Sequence, residues 1–160
     1  MKGWYNKIYL VKPYVEAADS IGFLPGGIND KLDPFLMSFF LNLEQIIGSY
    51  HAKRLRSSGM IEVVPFSYLR GVTFKEVIVI LDESQNVTKH QMKLFLTRLG
   101  ERSKFIIIGD IEQSDIAEES GLEDAATRFA NINGVGIVEF SNADIVRHPL
   151  VGEILRKYDE

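Results

Sequence analysis

The sequence predicts an α/β fold, a mostly parallel sheet with flanking helices. Residues 77–81 (Val-Ile-Val-Ile-Leu) and 105–108 (Phe-Ile-Ile-Ile) are apolar without interruption, as expected of strands covered on both faces. A helical segment lies between them, opened by Thr88 as cap with Gln91 three residues on, the spacing of a capping box. Strand, helix, strand with short connections is a right-handed βαβ unit. Both strands run into acids, Asp82-Glu83 after the first and Gly109-Asp110 after the second. The crossover puts both tips on the carboxyl edge of one sheet, where open α/β sheets bind ligands.

The other elements follow in order. Ile8-Tyr9-Leu10-Val11 is a short apolar strand stopped by Lys12-Pro13, and Val15–Ser20 suits a short helix after the proline. Gly22-Phe23-Leu24-Pro25-Gly26-Gly27 is a turn-rich loop. A helix opens at Asp33-Pro34, carries Phe35, Leu36, Met37, Phe39, Phe40, Leu43, Ile46 and Ile47, and ends at Gly48. Ile61–Val64 reads as a strand closed by Pro65. The helix after Thr88 carries Met92, Leu94, Phe95, Leu96 and Leu99 and stops at Gly100. A helix at Leu122–Phe129, a strand near Gly136–Phe140 and a terminal helix through Leu150–Tyr158 complete the α/β layers.

The 160 residues fit a single domain, 1–160, with room for a core. The absence of cysteine excludes disulfides, thiolate metal sites and cysteine nucleophiles. A net charge of −4 argues against broad adhesion to nucleic acid, though not against a local basic groove. No apolar run approaches a membrane span. The amino end has no signal-type apolar core after it, so a cytoplasmic location and no membrane partner are expected. His51, His90 and His148 lack metal-ligand spacing.

Chemistry concentrates at the two tips. Mg2+ favours oxygen ligands, and one or two carboxylates plus phosphates and water commonly hold it. Asp82 is the candidate metal residue. Glu83, one residue on, is the candidate for polarising an attacking water. Gln113, in the loop after the second strand, is the candidate for orienting water or reporting on a γ-phosphate. Asp110 either faces nucleotide or caps the turn that follows it. Gln85 and Asn86 either contact phosphate or form the turn before Thr88. His51, Lys53, Arg54 and Arg56, with Tyr50, suit either nucleic acid or a solvated helix end, the latter favoured.

These residues carry a resemblance. Leu81-Asp82-Glu83-Ser84-Gln85-Asn86, Gln91 to Gly100, Ser103-Lys104 and Gly109 to Gln113 resemble blocks of the PhoH family of ATPases. Gly22 to Gly26, Pro65 to Gly71 with Thr73-Phe74, Ser120-Gly121-Leu122 and Asp144 to Val151 resemble its other blocks, so the match covers about residues 8–158 in order. The resemblance implies a P-loop NTPase domain like the core of superfamily-one helicases, using ATP and Mg2+, with some members tied to RNA metabolism. Members occur in bacteria and phages. On that template Asp82 organises Mg2+, Glu83 acts on water and Gln113 senses the γ-phosphate. Arg147 is a candidate for stabilising transition-state charge, across a subunit boundary if members assemble as homo-oligomeric rings; a salt bridge or helix-terminus contact is the equal alternative. Arg70 is a candidate nucleotide contact, with a structural role favoured.

The pattern departs from the family in three places. No glycine is followed by lysine, so the Gly-x-x-x-x-Gly-Lys-Ser/Thr phosphate loop is absent, and Gly26-Gly27 is no substitute. The chain is expected to be shortened at its amino end, without the first strand and its loop, and inactive alone unless a missing segment or partner chain supplies them. Lys12-Pro13 stands where arginine-proline is usual, which removes a bidentate fork. Val72 stands where a second basic residue is usual. The competing expectation is a non-catalytic PhoH-derived module that binds a protein partner or RNA, docking through an uncovered sheet edge.

Overall fold

A computed structural model describes residues 5–13, 28–141, 144, 146 and 148–158; the side chains of 28–36, 149, 152, 155, 156 and 158 are outside that description. The short helix expected at Val15–Ser20 and the loop at Gly22–Gly27 lie outside the described residues. The chain divides into two compact units, residues 1–128 and 129–160.

The first unit is built on four parallel strands: β1 (Ile8–Lys12), β2 (Ile61–Pro65), β3 (Ile78–Leu81) and β4 (Lys104–Ile107). Their order is β2-β1-β3-β4. Ile8 pairs with Ile61 and Ile78, and Ile78 pairs with Lys104, so the strands are in step and their carboxyl ends share one edge. The α/β class expected from the sequence is what the chain adopts.

Alternation along the strands sorts the core into two layers. Ile8, Leu10, Ile61, Val63 and Ile80 face helix α1 (Ile28–Ile47) and helix α2 (Ser49–Ser57), packing with Phe39, Phe40, Leu43 and Leu55. The opposite face is aromatic. Tyr9 lies 5.1 Å from Phe74, Phe74 6.0 Å from Phe105, and Phe105 4.7 Å from Phe95 of helix α3 (Lys89–Leu96), centroid to centroid. Phe66 stacks on Phe95 from a one-turn 3-10 helix at Phe66–Leu69. Phe95, Val11, Val79, Leu81 and Leu69 are fully buried. β3, inside the sheet, is buried or half-buried throughout, whereas β4, at its edge, is half-buried from Phe105 to Ile107 and exposed at Lys104, so the unbroken apolar run there accompanies only partial cover.

Three elements differ from expectation. Helix α1 begins at Ile28, so Pro34 sits in its second turn rather than its first; the proline rule places the start too late. Gly48, at φ 81 and ψ 150, occupies a region open essentially to glycine and separates α1 from α2, which the sequence reading did not resolve as its own helix. Helix α3 ends at Leu96, not Gly100. There the Thr97 hydroxyl donates to the carbonyls of Lys93 and Leu94, both 2.9 Å, and Leu99 leaves the helix to bridge Phe74. The capping box is as expected: the Thr88 hydroxyl accepts from Gln91 N–H at 3.3 Å and the Gln91 side chain accepts from Thr88 N–H at 2.9 Å.

Helix α4 (Gly121–Phe129) closes the first unit. Its start is tied to α3 by the Gly121 N–H donating to the Val87 carbonyl at 2.7 Å and by Lys89, which pairs with Glu119 at 2.6 Å and Asp124 at 3.2 Å. The second unit contains a turn after Phe129 and helix α5 (Pro149–Tyr158). The strand expected at Gly136–Phe140 does not form. Its residues are exposed, Val138 at 76% and Phe140 at 85%, and among the described residues it has no ladder partner. An apolar alternating run becomes a strand only where an edge accepts its backbone groups. No helix of the described residues is long and apolar enough to cross a membrane.

Candidate functional site

The carboxyl edge is built by continuing the β-ladder past the strand ends. Asp82 N–H donates to the Val11 carbonyl at 3.1 Å, and Ile108 N–H to the Leu81 carbonyl at 2.9 Å. Ser84 then closes the corner: its N–H and its hydroxyl both donate to the Ile108 carbonyl, at 3.0 and 2.8 Å. The two tips expected to lie together do so, held by backbone hydrogen bonds and by the buried Ser84 hydroxyl.

Asp82 is partly exposed and accepts an ion pair from Lys12 Nζ at 3.1 Å. The strand register explains the pair: Val11 stands opposite Leu81, so the next residues, Lys12 and Asp82, meet across the tips of β1 and β3. In the sequence alone Lys12 reads only as a replacement for arginine. Nothing local marks it as the counter-charge of Asp82, since the signal lies in a strand pairing across about seventy residues.

Glu83 is exposed and left-handed, at φ 55 and ψ 37. A glutamate in that region carries strain on the order of 1 kcal/mol or more. The turn reverses the chain into a 3-10 helix at Ser84–Asn86, all three residues of which are buried. The strain therefore leaves Glu83 at the surface while the next three side chains enter the core.

Gln85 is the most buried polar side chain beside Ser84, 2% exposed. Its Nε2 donates to Glu83 Oε2 at 2.9 Å and to the Gln113 carbonyl at 3.4 Å, and its Oε1 accepts from Asp110 N–H at 3.2 Å. Of the two roles left open by the sequence, phosphate contact or turn, the packing puts Gln85 inside the turn. Asn86 does similar work: its Oδ1 accepts from Asp115 N–H at 2.8 Å, while Ser114 Oγ donates to the Gln85 carbonyl at 3.2 Å. Between these groups sits Gly109. A Cβ there would lie 2.7 Å from both Gln85 Oε1 and Ser84 Oγ and 2.8 Å from Leu122, so only glycine lets the tips approach this closely.

The loop after β4 is short and ordered by Asp110. Its Oδ1 accepts from Glu112 N–H at 3.1 Å, capping the 3-10 turn Ile111–Gln113. Its Oδ2 accepts from Gln113 Nε2 at 2.6 Å. Asp110 thus takes the capping role weighed from sequence, and both it and Gln113 remain exposed. Arg70 is exposed, at the end of the 3-10 helix that follows β2. Arg147 lies outside the described residues.

The donor set at the tips suits Mg2+. One partly exposed carboxylate, Asp82, stands beside an exposed second, Glu83, and a hard cation completed by water and phosphate oxygens asks for little more. Among the described residues no three His, Asp or Glu converge on one point as a self-sufficient protein cage would require. Around α4, Glu119 and Asp124 are instead paired: Lys89 reaches both, and the hydrogen bond from Arg128, reinforced by Lys89, holds the Asp124 carboxyl down to about 2. The basic cluster lies on α2, whose last turn carries Arg54 and Arg56, where the helix dipole favours cations. Arg56 also covers the ring of Phe40 at 4.9 Å.

Comparison with known proteins gives one consistent result. The model of the family described as PhoH-like protein matches residues 1–159. The PhoH-like protein of Bacillus subtilis (strain 168) is 46% identical over 160 residues, covering 99% of this chain and 50% of that protein. The PhoH-like protein of Mycobacterium tuberculosis (strain ATCC 25618 / H37Rv) is 42% identical over 155 residues, covering 96% and 44%. Protein PhoH of Escherichia coli (strain K12) is 43% identical over 157 residues, again covering 96% and 44%. The chain spans about half the length of the curated relatives it matches.

Proposed function

Since the chain belongs to the PhoH family, we propose that it carries the acid-and-sensor half of an ATP-hydrolysing site. The observation that supports this best is the shared edge: Asp82, Glu83 and Gln113 stand on two strand tips locked together through Ser84, Gln85 and Gly109. Asp82 would hold Mg2+ through its carboxylate, the same group that pairs with Lys12. Mg2+ bound with ATP supplies charge neutralisation at the phosphates. Glu83, exposed and fixed at one oxygen by Gln85, keeps its other oxygen to accept a hydrogen bond from water and orient it. Gln113 can exchange its bond to Asp110 for a γ-phosphate oxygen. Arg70 and Arg147 are proposed as charge-stabilising contacts to the nucleotide, Arg147 from a neighbouring copy in a ring, and RNA as the macromolecule on which turnover acts.

The phosphate cradle is the part these 160 residues do not encode, because no glycine precedes a lysine. Backbone N–H groups and a lysine are what hold β- and γ-phosphates in such sites. The expected result is that this chain alone turns over no ATP, whereas the same chain joined to a segment bearing Gly-x-x-x-x-Gly-Lys-Thr does so in a Mg2+-dependent way. A steady-state phosphate-release assay on both polypeptides decides it. Equal turnover by the two, or none by the joined polypeptide, contradicts the assignment.

A further inference from the structure

We infer that Gln85 is a positioning residue, a buried relay that ties the carboxylate of Glu83 to the loop carrying Gln113. The inference rests on the roles proposed above for Glu83 and Gln113, but the relay itself is a matter of bonding. A primary amide offers two N–H donors and one carbonyl with two lone pairs. Here both donors are used, one on Glu83 Oε2 and one on the Gln113 carbonyl, and the carbonyl accepts from Asp110 N–H. The amide can be oriented only this way. Turning it over would set Nε2 against the Asp110 N–H and Oε1 against a carboxylate and a carbonyl, replacing three attractions with three repulsions.

Burial makes the relay consequential. At 2% exposure Gln85 has no surface to offer a phosphate, and an unpaired amide in that position would cost far more than in water. The side chain therefore has to move with its partners or leave them unsatisfied. A displacement of the Gln113 loop pulls on Nε2 and Oε1 together, and Nε2 is the group that fixes Glu83. The neighbours restrict other responses: Ser84 is pinned to the Ile108 carbonyl, and Gln85 Oε1 packs so closely on Gly109 that a Cβ there would stand 2.7 Å from it. Glu83 itself is held by a strained left-handed turn, a conformation that small changes in its supporting bonds can release. A loop that meets phosphate is in this way joined to the carboxylate proposed to meet water, through one side chain.

The test uses the ligand-free chain, labelled with 15N. Glu83→Ala removes the acceptor for Gln85 Nε2. In the wild-type background the resonances of Asp110 and of Gln113–Ser114 are expected to shift, and the Asp110 amide to exchange with solvent about fivefold faster, the change matching one hydrogen bond of about 1 kcal/mol. With Gln85→Met, which fills similar volume without polar atoms, the same Glu83→Ala change is expected to leave those signals where Gln85→Met alone put them. Amides of Val79 and Ile80, inside β3, report whether the sheet is intact; if Gln85→Met loosens them, Gln85→Leu, which likewise has no donor for Glu83 and no charge, replaces it in the same comparison. A response at Asp110 that is absent in the wild type, or undiminished in the Gln85 variant, overturns the inference. Because no nucleotide is present, that outcome leaves the ATP assignment standing, and failure of ATP turnover in the joined polypeptide leaves the relay standing.

Discussion

Glu83→Gln is expected to lower ATP turnover about 10²–10⁴-fold in the polypeptide that carries a phosphate loop, the range for loss of a positioned general base. ATP affinity should stay close to the parent's, because the proposed roles give Mg2+ and the phosphates to Asp82 and the phosphate loop and give Glu83 only the water. The substitution is nearly isosteric, and glutamine at position 83 still offers an oxygen to Gln85 Nε2, so the tip should keep its shape. Single-turnover hydrolysis alongside nucleotide titration separates the two quantities. Turnover within a few-fold of the parent would show that Glu83 does not act on water.

Phe95→Ala is expected to destabilise the fold by about 3–5 kcal/mol. Phe95 is fully buried and is the meeting point of two aromatic contacts, Phe105 on β4 and Phe66 on the cover after β2. Truncation removes both and leaves a cavity between helix and sheet that the two neighbouring rings cannot close. For a chain of this size the loss corresponds to roughly 8–15 °C in Tm. Thermal unfolding followed by far-UV circular dichroism checks it. Leu99→Ala is the control, since Leu99 is 55% exposed and its loss should stay within about 1 kcal/mol.

Much of this architecture was legible before any coordinates, and the reasons are local. β3 and β4 announce themselves by the unbroken apolar runs Val77–Leu81 and Phe105–Ile108, and α3 because its cap is written in four consecutive residues. The acids at the tips are legible for the same reason, since they directly follow those strands. What stayed hidden depends on pairing between distant segments. Gln85 looks like any turn residue until β3 and β4 are set side by side, and Lys12 gains meaning only when β1 lies against β3. The aromatic cover of Phe66 and Phe74 belongs to a stretch with no helix or strand period, so sequence periodicity passes over it. Gly136–Phe140 shows the opposite error: a strand-like run was legible, but a partner edge is not a property of the run itself.

The central claim is that both strand tips surround one metal–phosphate site. Its most direct test is paramagnetic broadening by Mn2+ with a non-hydrolysable ATP analogue, in the 15N-labelled polypeptide joined to a phosphate loop. Broadening should be strongest at Asp82 and Glu83 and extend to Asp110–Gln113, with Asp82→Asn weakening all of it together. Broadening centred on Glu119–Asp124, the other acidic cluster of the first unit, or touching one tip without the other, would contradict the claim.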